Sequence, residues 1–184
     1  MIIRSILPWL SLRSQRFAAD RRGSSAMEFA LLLPLLLIMY FGSIQITDAI
    51  SADRQVTLVA STVAEITSQY ATVSSTDVSN ILAAASAVLT PFPVANAKVT
   101  LSSVLIDANG NATVDWSATL NGTQRSGTVT GSIPAALLVP NTSVIWGEAN
   151  YSYKPAIGWV ITGTIGMYDQ IFLRPRQSNN VVHS

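Results

Sequence analysis

Cysteine is absent from the 184 residues, and histidine occurs once, as His183. No disulfide, thiolate metal site or cysteine nucleophile can therefore exist. A lone imidazole at position 183 is poorly placed for a Ser-His-Asp triad or a histidine metal centre. Charge is also scarce, at 11% of residues against about 25% in ordinary soluble domains. The acids downstream of the first apolar run are scattered, with no pair at i,i+3 or i,i+4 on an evident helix face, so paired-carboxylate hydrolysis has no visible seed. The stretch GTVTGS lacks the Lys-Ser/Thr ending and following helix of a phosphate loop. No catalytic residue, metal ligand, cofactor or small-molecule substrate is expected.

What charge there is falls unevenly. Five arginines (Arg4, Arg13, Arg16, Arg21, Arg22) and one acid, Asp20, precede Ser24, whereas six basic and nine acidic residues follow. Positive charge confined to a short head argues against nucleic acid. It suits an oriented single-span protein. From Phe29 to Ile46 the one strongly polar side chain is Gln45. Those 18 residues make about 27 Å of helix, close to the ~30 Å hydrocarbon thickness of a bilayer. A buried core helix is disfavoured, because Leu31–Tyr40 is apolar on every face. A cleaved secretory signal remains an alternative, with Phe41-Gly42-Ser43 as its small-x-small site. A retained anchor fits the length better. Phe29, Leu33, Pro34, Leu37 and Phe41 are the expected residues of this membrane anchor, with a kink near Ala30–Pro34.

Glu28 stands at the entrance to this run. An acid near a helix start complements the macrodipole, which is the simplest reading. The surrounding RRG-SSAMEF is more specific than a cap requires: basic residues, a glycine, four residues, then Glu-Phe and a long apolar helix. It resembles the processing site of type IV pilin-like precursors, in particular the TadE-like minor pseudopilins of the Tad (tight adherence, Flp-type) pilus. That resemblance implies a prepilin peptidase cut between Gly23 and Ser24. A cut there exposes an α-amino group on Ser24, with pKa about 7.7–8.0 in water. Glu28 then becomes an assembly carboxylate that pairs with the amine of a neighbouring subunit, offsetting the cost of a charge beside lipid.

Downstream, Val56, Val59, Val63, Ile66 and Tyr70 recur at intervals of three and four. This predicts that the helix runs on to about Tyr70 with one apolar face. Thr76 is the expected N-cap of a second helix, with Asp77 in its first turn and Val78, Ile81, Leu82, Ala85, Val88 and Leu89 on its buried face. The sequence TPFP ends it. From Ala97 the period becomes two. Val99, Leu101, Ser103 and Leu105 share one strand face, and Val114, Trp116, Ala118 and Leu120 share a face of the next. DANGN between them signals a hairpin. A turn at NGTQRSG, a short strand at GTVTGS and a proline-bounded helical turn at IPAALLVPN follow. Then comes a strand with Ile145, Gly147, Ala149, Tyr151 and Tyr153 on one side and Trp146, Glu148 and Asn150 on the other. Asn111, Asn121 and Asn141 match the glycosylation acceptor pattern but read as turn residues.

The second strand region, with Glu148, Tyr151, Tyr153 and Pro155, resembles the C-terminal part of TadE-like proteins, as does the terminal YDQIFLRPRQS. The expected architecture is α+β, a pilin-like lollipop. A long N-terminal helix, half membrane span and half amphipathic, and a second helix pack on a small antiparallel sheet. Residues 1–23 form a cytoplasmic leader, 24–47 a transmembrane helix and 48–184 a periplasmic domain of a bacterial inner-membrane protein. The resemblance implies other pilins or pseudopilins, the pilus assembly machinery, a prepilin peptidase and the lipid bilayer as partners, with no nucleic acid. The competing reading is a signal-anchored envelope scaffold or binding ectodomain without prepilin processing. Pro155–Leu173 is apolar enough to be a partner surface, a core segment or a second span.

Overall fold

The computed structural model describes residues 22–155 and 162–184. The basic leader up to residue 21, and with it most of the expected cytoplasmic head, lies outside the described residues. Helix α1 spans Arg22–Ser68 and passes through Pro34 without interruption. The chain divides into two compact units, Met1–Ile44 and Gln45–Ser184.

Within the first unit, the large apolar residues from Met27 to Tyr40 are exposed. This part of α1 buries no stripe against protein, in keeping with a sequence that is apolar all round.

The second unit is built around a four-stranded antiparallel sheet of order β3-β2-β4-β5. Its strands are β2 (Ala97–Ile106), β3 (Ala112–Leu120), β4 (Thr142–Tyr153) and β5 (Ile165–Leu173). A two-residue strand β1 (Thr72–Val73) and helix α2 (Ser75–Val88) precede the sheet. A short strand β6 (Val182–His183) pairs in parallel with β1. One face of the sheet packs on α2 and on the α1 residues Ala52, Val56, Val59, Ala60, Val63 and Ala64. That core takes Val99 and Leu101 from β2 and Ile145, Ala149, Tyr151 and Tyr153 from β4. The opposite face carries a smaller core of Val104, Ile106, Ala112, Val144 and Trp146. Val129 and Ile133, from the segment between β3 and β4, cover it.

Several expectations change in detail. Helix α1 ends at Ser68, and Tyr70 packs against the core from beyond its end. The N-cap of α2 is Ser74, not Thr76. Ser74 Oγ accepts from the Asp77 N–H at 3.2 Å, and Asp77 Oδ2 accepts from the Ser74 N–H at 2.9 Å. This reciprocal box satisfies two otherwise orphan donors. The Ser74 hydroxyl also donates to Asp77 Oδ2 at 2.6 Å, and this bond first, with that of the Ser74 N–H second, holds the Asp77 carboxyl below its ordinary pKa. Val114 does not share a face with Trp116. The β2 partner jumps from Trp116 to Val114, so Asp115 is an extra, unpaired residue, and the bulge turns Val114 to the smaller core. Leu105 keeps its parity but is exposed near the strand end, whereas Ser103 is buried and bonds Asn180. GTVTGS makes a single bridge, Thr113 to Thr128, then a 3-10 turn over Thr130–Ser132. Residues 165–173 are a strand, so no second spanning helix occupies them; residues 156–161 lie outside the described residues.

Turn chemistry follows the sequence more closely. Asp107 Oδ1 accepts from the N–H groups of Asn109 and Asn111 at 2.8 Å each, and Gly110 has φ +82°. Asn121 and Asn141 adopt φ of 56° and 59°, a region Asn enters more readily than most residues.

Candidate functional site

Two places concentrate polar groups against apolar surroundings. The first is the head of α1. Gly23 and Ser24 are exposed, and the position of a Cβ on Gly23 meets nothing within 4 Å. Ser24 Oγ donates to Glu28 Oε1 at 3.2 Å, one helical turn away. Glu28 is exposed, and the first turn of α1 as described contains no acid. Phe29, Leu33 and Leu37 are exposed, Pro34 lies within the helix, and Phe41 is half-buried with its ring edge-on to Tyr40 at 5.4 Å. From Gly23 onward α1 is the one helix among the described residues long and apolar enough to cross a membrane.

The second is on the sheet face turned away from the helices. Glu148, outward on β4, has a side chain only 7% exposed. Arg125, from the turn after β3, meets it in a bidentate pair, with Nε to Oε2 and Nη2 to Oε1 both at 2.5 Å. The Tyr168 hydroxyl of β5 donates to Oε1 at 2.8 Å. The guanidinium lies 4.0 Å from the centre of the Trp146 ring, which itself stacks at a tilt on Phe172 at 5.1 Å. The Arg125 N–H donates to Ser117 Oγ at 3.1 Å. Three donor groups thus hydrogen-bond a carboxylate that has little access to water. The hydrogen bond to Glu148 pushes the Arg125 pKa up. The Tyr168 pKa rises to about 12, first from burial of its hydroxyl and then from Glu148 beside it.

A cavity of about 340 Å³ adjoins this network, with Lys98, Thr100 and Asn150 on its wall. Its acid and base engage one another, so the arrangement pins the turn onto the sheet. No group of three or more His, Asp or Glu side chains that could hold a metal occurs among the described residues.

The structure does not bring the sequence-derived strand residues into one site. Glu148 faces the Arg125 network. Tyr151 and Tyr153 face the helices, each with its ring 6.2 Å from Phe92, and Pro155 is buried just beyond the strand. Burial, with Asp48 and Tyr151 nearby, raises the Tyr153 pKa. Arg125 and Tyr168 were not visible as partners of Glu148. The one signal available was the shared outward parity of Glu148 and Trp146.

These features define an α+β protein with one exposed apolar N-terminal helix of membrane-spanning length and an ion pair locked on its sheet. Residues 23–65 match the model of the family described as TadE-like protein, in agreement with the resemblance carried by Gly23 and Glu28. The matched stretch ends before the sheet begins. No curated protein and no solved structure matches the chain.

Proposed function

We propose that the chain is a TadE-like minor pseudopilin that works in Tad pilus biogenesis by assembly rather than catalysis. The family match over residues 23–65 carries this reading, because it spans the glycine, the acid and the apolar run together. Residues 24–47 anchor the protein in the bacterial inner membrane. The arginine-rich leader stays in the cytoplasm, and residues 48–184 fold in the periplasm. Prepilin peptidase cuts after Gly23. Glu28 then meets the new amine of a neighbouring pilin or pseudopilin and sets the register between their helices.

Glu28→Ala tests the pairing. The variant is expected to fractionate with the membrane as the wild type does. Surface pili should fall about tenfold or more, the scale of one lost charge pair of about 1.4 kcal/mol per contact. Normal piliation by that variant removes the pairing role. N-terminal sequencing of the mature protein tests the cut: a start at Ser24 supports it, and an intact Met1 leaves an unprocessed anchor.

A further inference from the structure

The sheet of the second unit has two edges, treated differently. The β3 edge is covered by the chain itself. The Val114 N–H donates to the Gly127 carbonyl, the Val129 N–H to the Ala112 carbonyl, and Thr128 bridges Thr113. The β5 edge has no such cover among the described residues. Among the described residues, β5 pairs with β4 alone, and none of Ile165–Leu173 makes a further backbone–backbone hydrogen bond. A long strand with an open row of N–H and C=O groups is a template for another strand.

The side chains along this edge say what kind. Asp169 sits at its middle, opposite Ala149, and so projects to the helix side of the sheet, between Met167 and Ile171. It has no ion-pair partner among the described residues; its Oδ1 accepts only from the N–H of Gln170, at 2.8 Å. Further along the same face, a cleft of about 340 Å³ opens between the α1 residues Ser61, Thr62 and Glu65 and the strand residues Ile171 and Leu173. A second copy of β5 is the wrong occupant. Antiparallel self-pairing centred on this strand places Asp169 against Asp169, and like charges directly opposite repel.

We propose that the free edge of β5 docks an extended segment of another protein as a fifth strand, with a basic residue opposite Asp169 and apolar residues beside it on the same face. Main-chain bonds supply the affinity, and the acid and cleft supply the selection.

The test uses the full-length protein in detergent micelles and the synthetic peptide Ser-Thr-Val-Thr-Lys-Thr-Val-Thr-Ser. A matched peptide carries Glu in place of Lys. Binding is followed by fluorescence anisotropy and by amide hydrogen exchange. The lysine peptide should bind saturably and slow exchange in Ile165–Leu173 but not in Ala112–Leu120. The glutamate peptide should bind about fivefold more weakly or worse, the scale of one cross-strand charge pair. Asp169→Lys should invert that preference, and Asp169→Asn should abolish it. Equal binding of both peptides, or no protection of β5 by either, overturns the proposal. Sedimentation showing that the wild-type protein self-associates through β5 overturns it as well.

Discussion

The Glu148 side chain, nearly closed off from water, takes three hydrogen bonds from Arg125 and Tyr168. Arg125→Ala leaves the carboxylate with one hydroxyl and uncovers the Trp146 ring. Breaking a fully buried pair costs about 3–5 kcal/mol. Arg125 is 35% exposed, so water can partly replace it, and about 2–3 kcal/mol is expected by denaturant titration in micelles. The double variant Arg125→Met, Glu148→Leu should recover most of that loss, since no charge then remains to be solvated. Tyr168 adds a pH signature. Its folded pKa of about 12 lies above the ordinary ~10, so between these values the unfolded chain has given up a proton that the folded chain still holds. Stability is therefore intact below about pH 10 and declines as pH rises towards 12. Tyr168→Phe should flatten that decline in a pH series of melting curves. Tyrosinate absorbance should likewise show one late-titrating group lost. The outward parity of Glu148 was readable from alternation alone. Its partner was not, because Arg125 sits in a turn 23 residues upstream, and no local period reports which turn folds over which strand.

Elements follow the sequence where one residue type is physically compelled. Gly147 lies on the helix-facing side of β4, where a Cβ would stand 2.5 Å from the Ala60 carbonyl oxygen and 3.0 Å from Ala64 Cβ. The absent side chain lets the strand touch the α1 backbone. Gly147→Ala should cost about 1–3 kcal/mol through forced separation, seen as a lower midpoint in thermal or chemical unfolding. The same small-residue surface explains why the 3.6-residue period of Val56, Val59 and Val63 was legible: each is fully buried against the sheet. The start of α2 was misplaced by two residues at Thr76, although Ser74 and Asp77 stand three apart in the pattern of a capping box. Thr76 lacks an acid at that spacing, which is why the cap falls two residues earlier. The bulge at Asp115 was not legible. One extra residue reverses every later side chain, yet nothing in the alternation of ATVDWSATL marks where it enters. The extra residue meets a partner far away in sequence, where Asn180 Nδ2 donates to Asp115 Oδ2 at 3.3 Å.

At the scale of the folded unit from Gln45 onward, closure depends on the segment after β5. The Trp116 Nε1–H donates to the Val181 carbonyl at 2.7 Å, Ser143 Oγ donates to the Asn179 carbonyl at 2.7 Å, and the Arg176 N–H reaches the Ser68 carbonyl at the end of α1. Val181 itself is fully buried. Val181→Ala removes two methyl groups from this seam and is expected to cost about 2 kcal/mol, with a red shift of Trp116 emission and faster proteolysis near residues 176–184. Among the described residues strand β1 pairs with this segment alone: the Val73 carbonyl accepts from the Ser184 N–H at 3.0 Å, and from its hydroxyl across 111 positions of chain. A polypeptide threaded outward from its N-terminus would deliver α1 and α2 long before that partner arrives. The nascent domain must then wait, half zipped, until residues 182–184 have been made and reach β1.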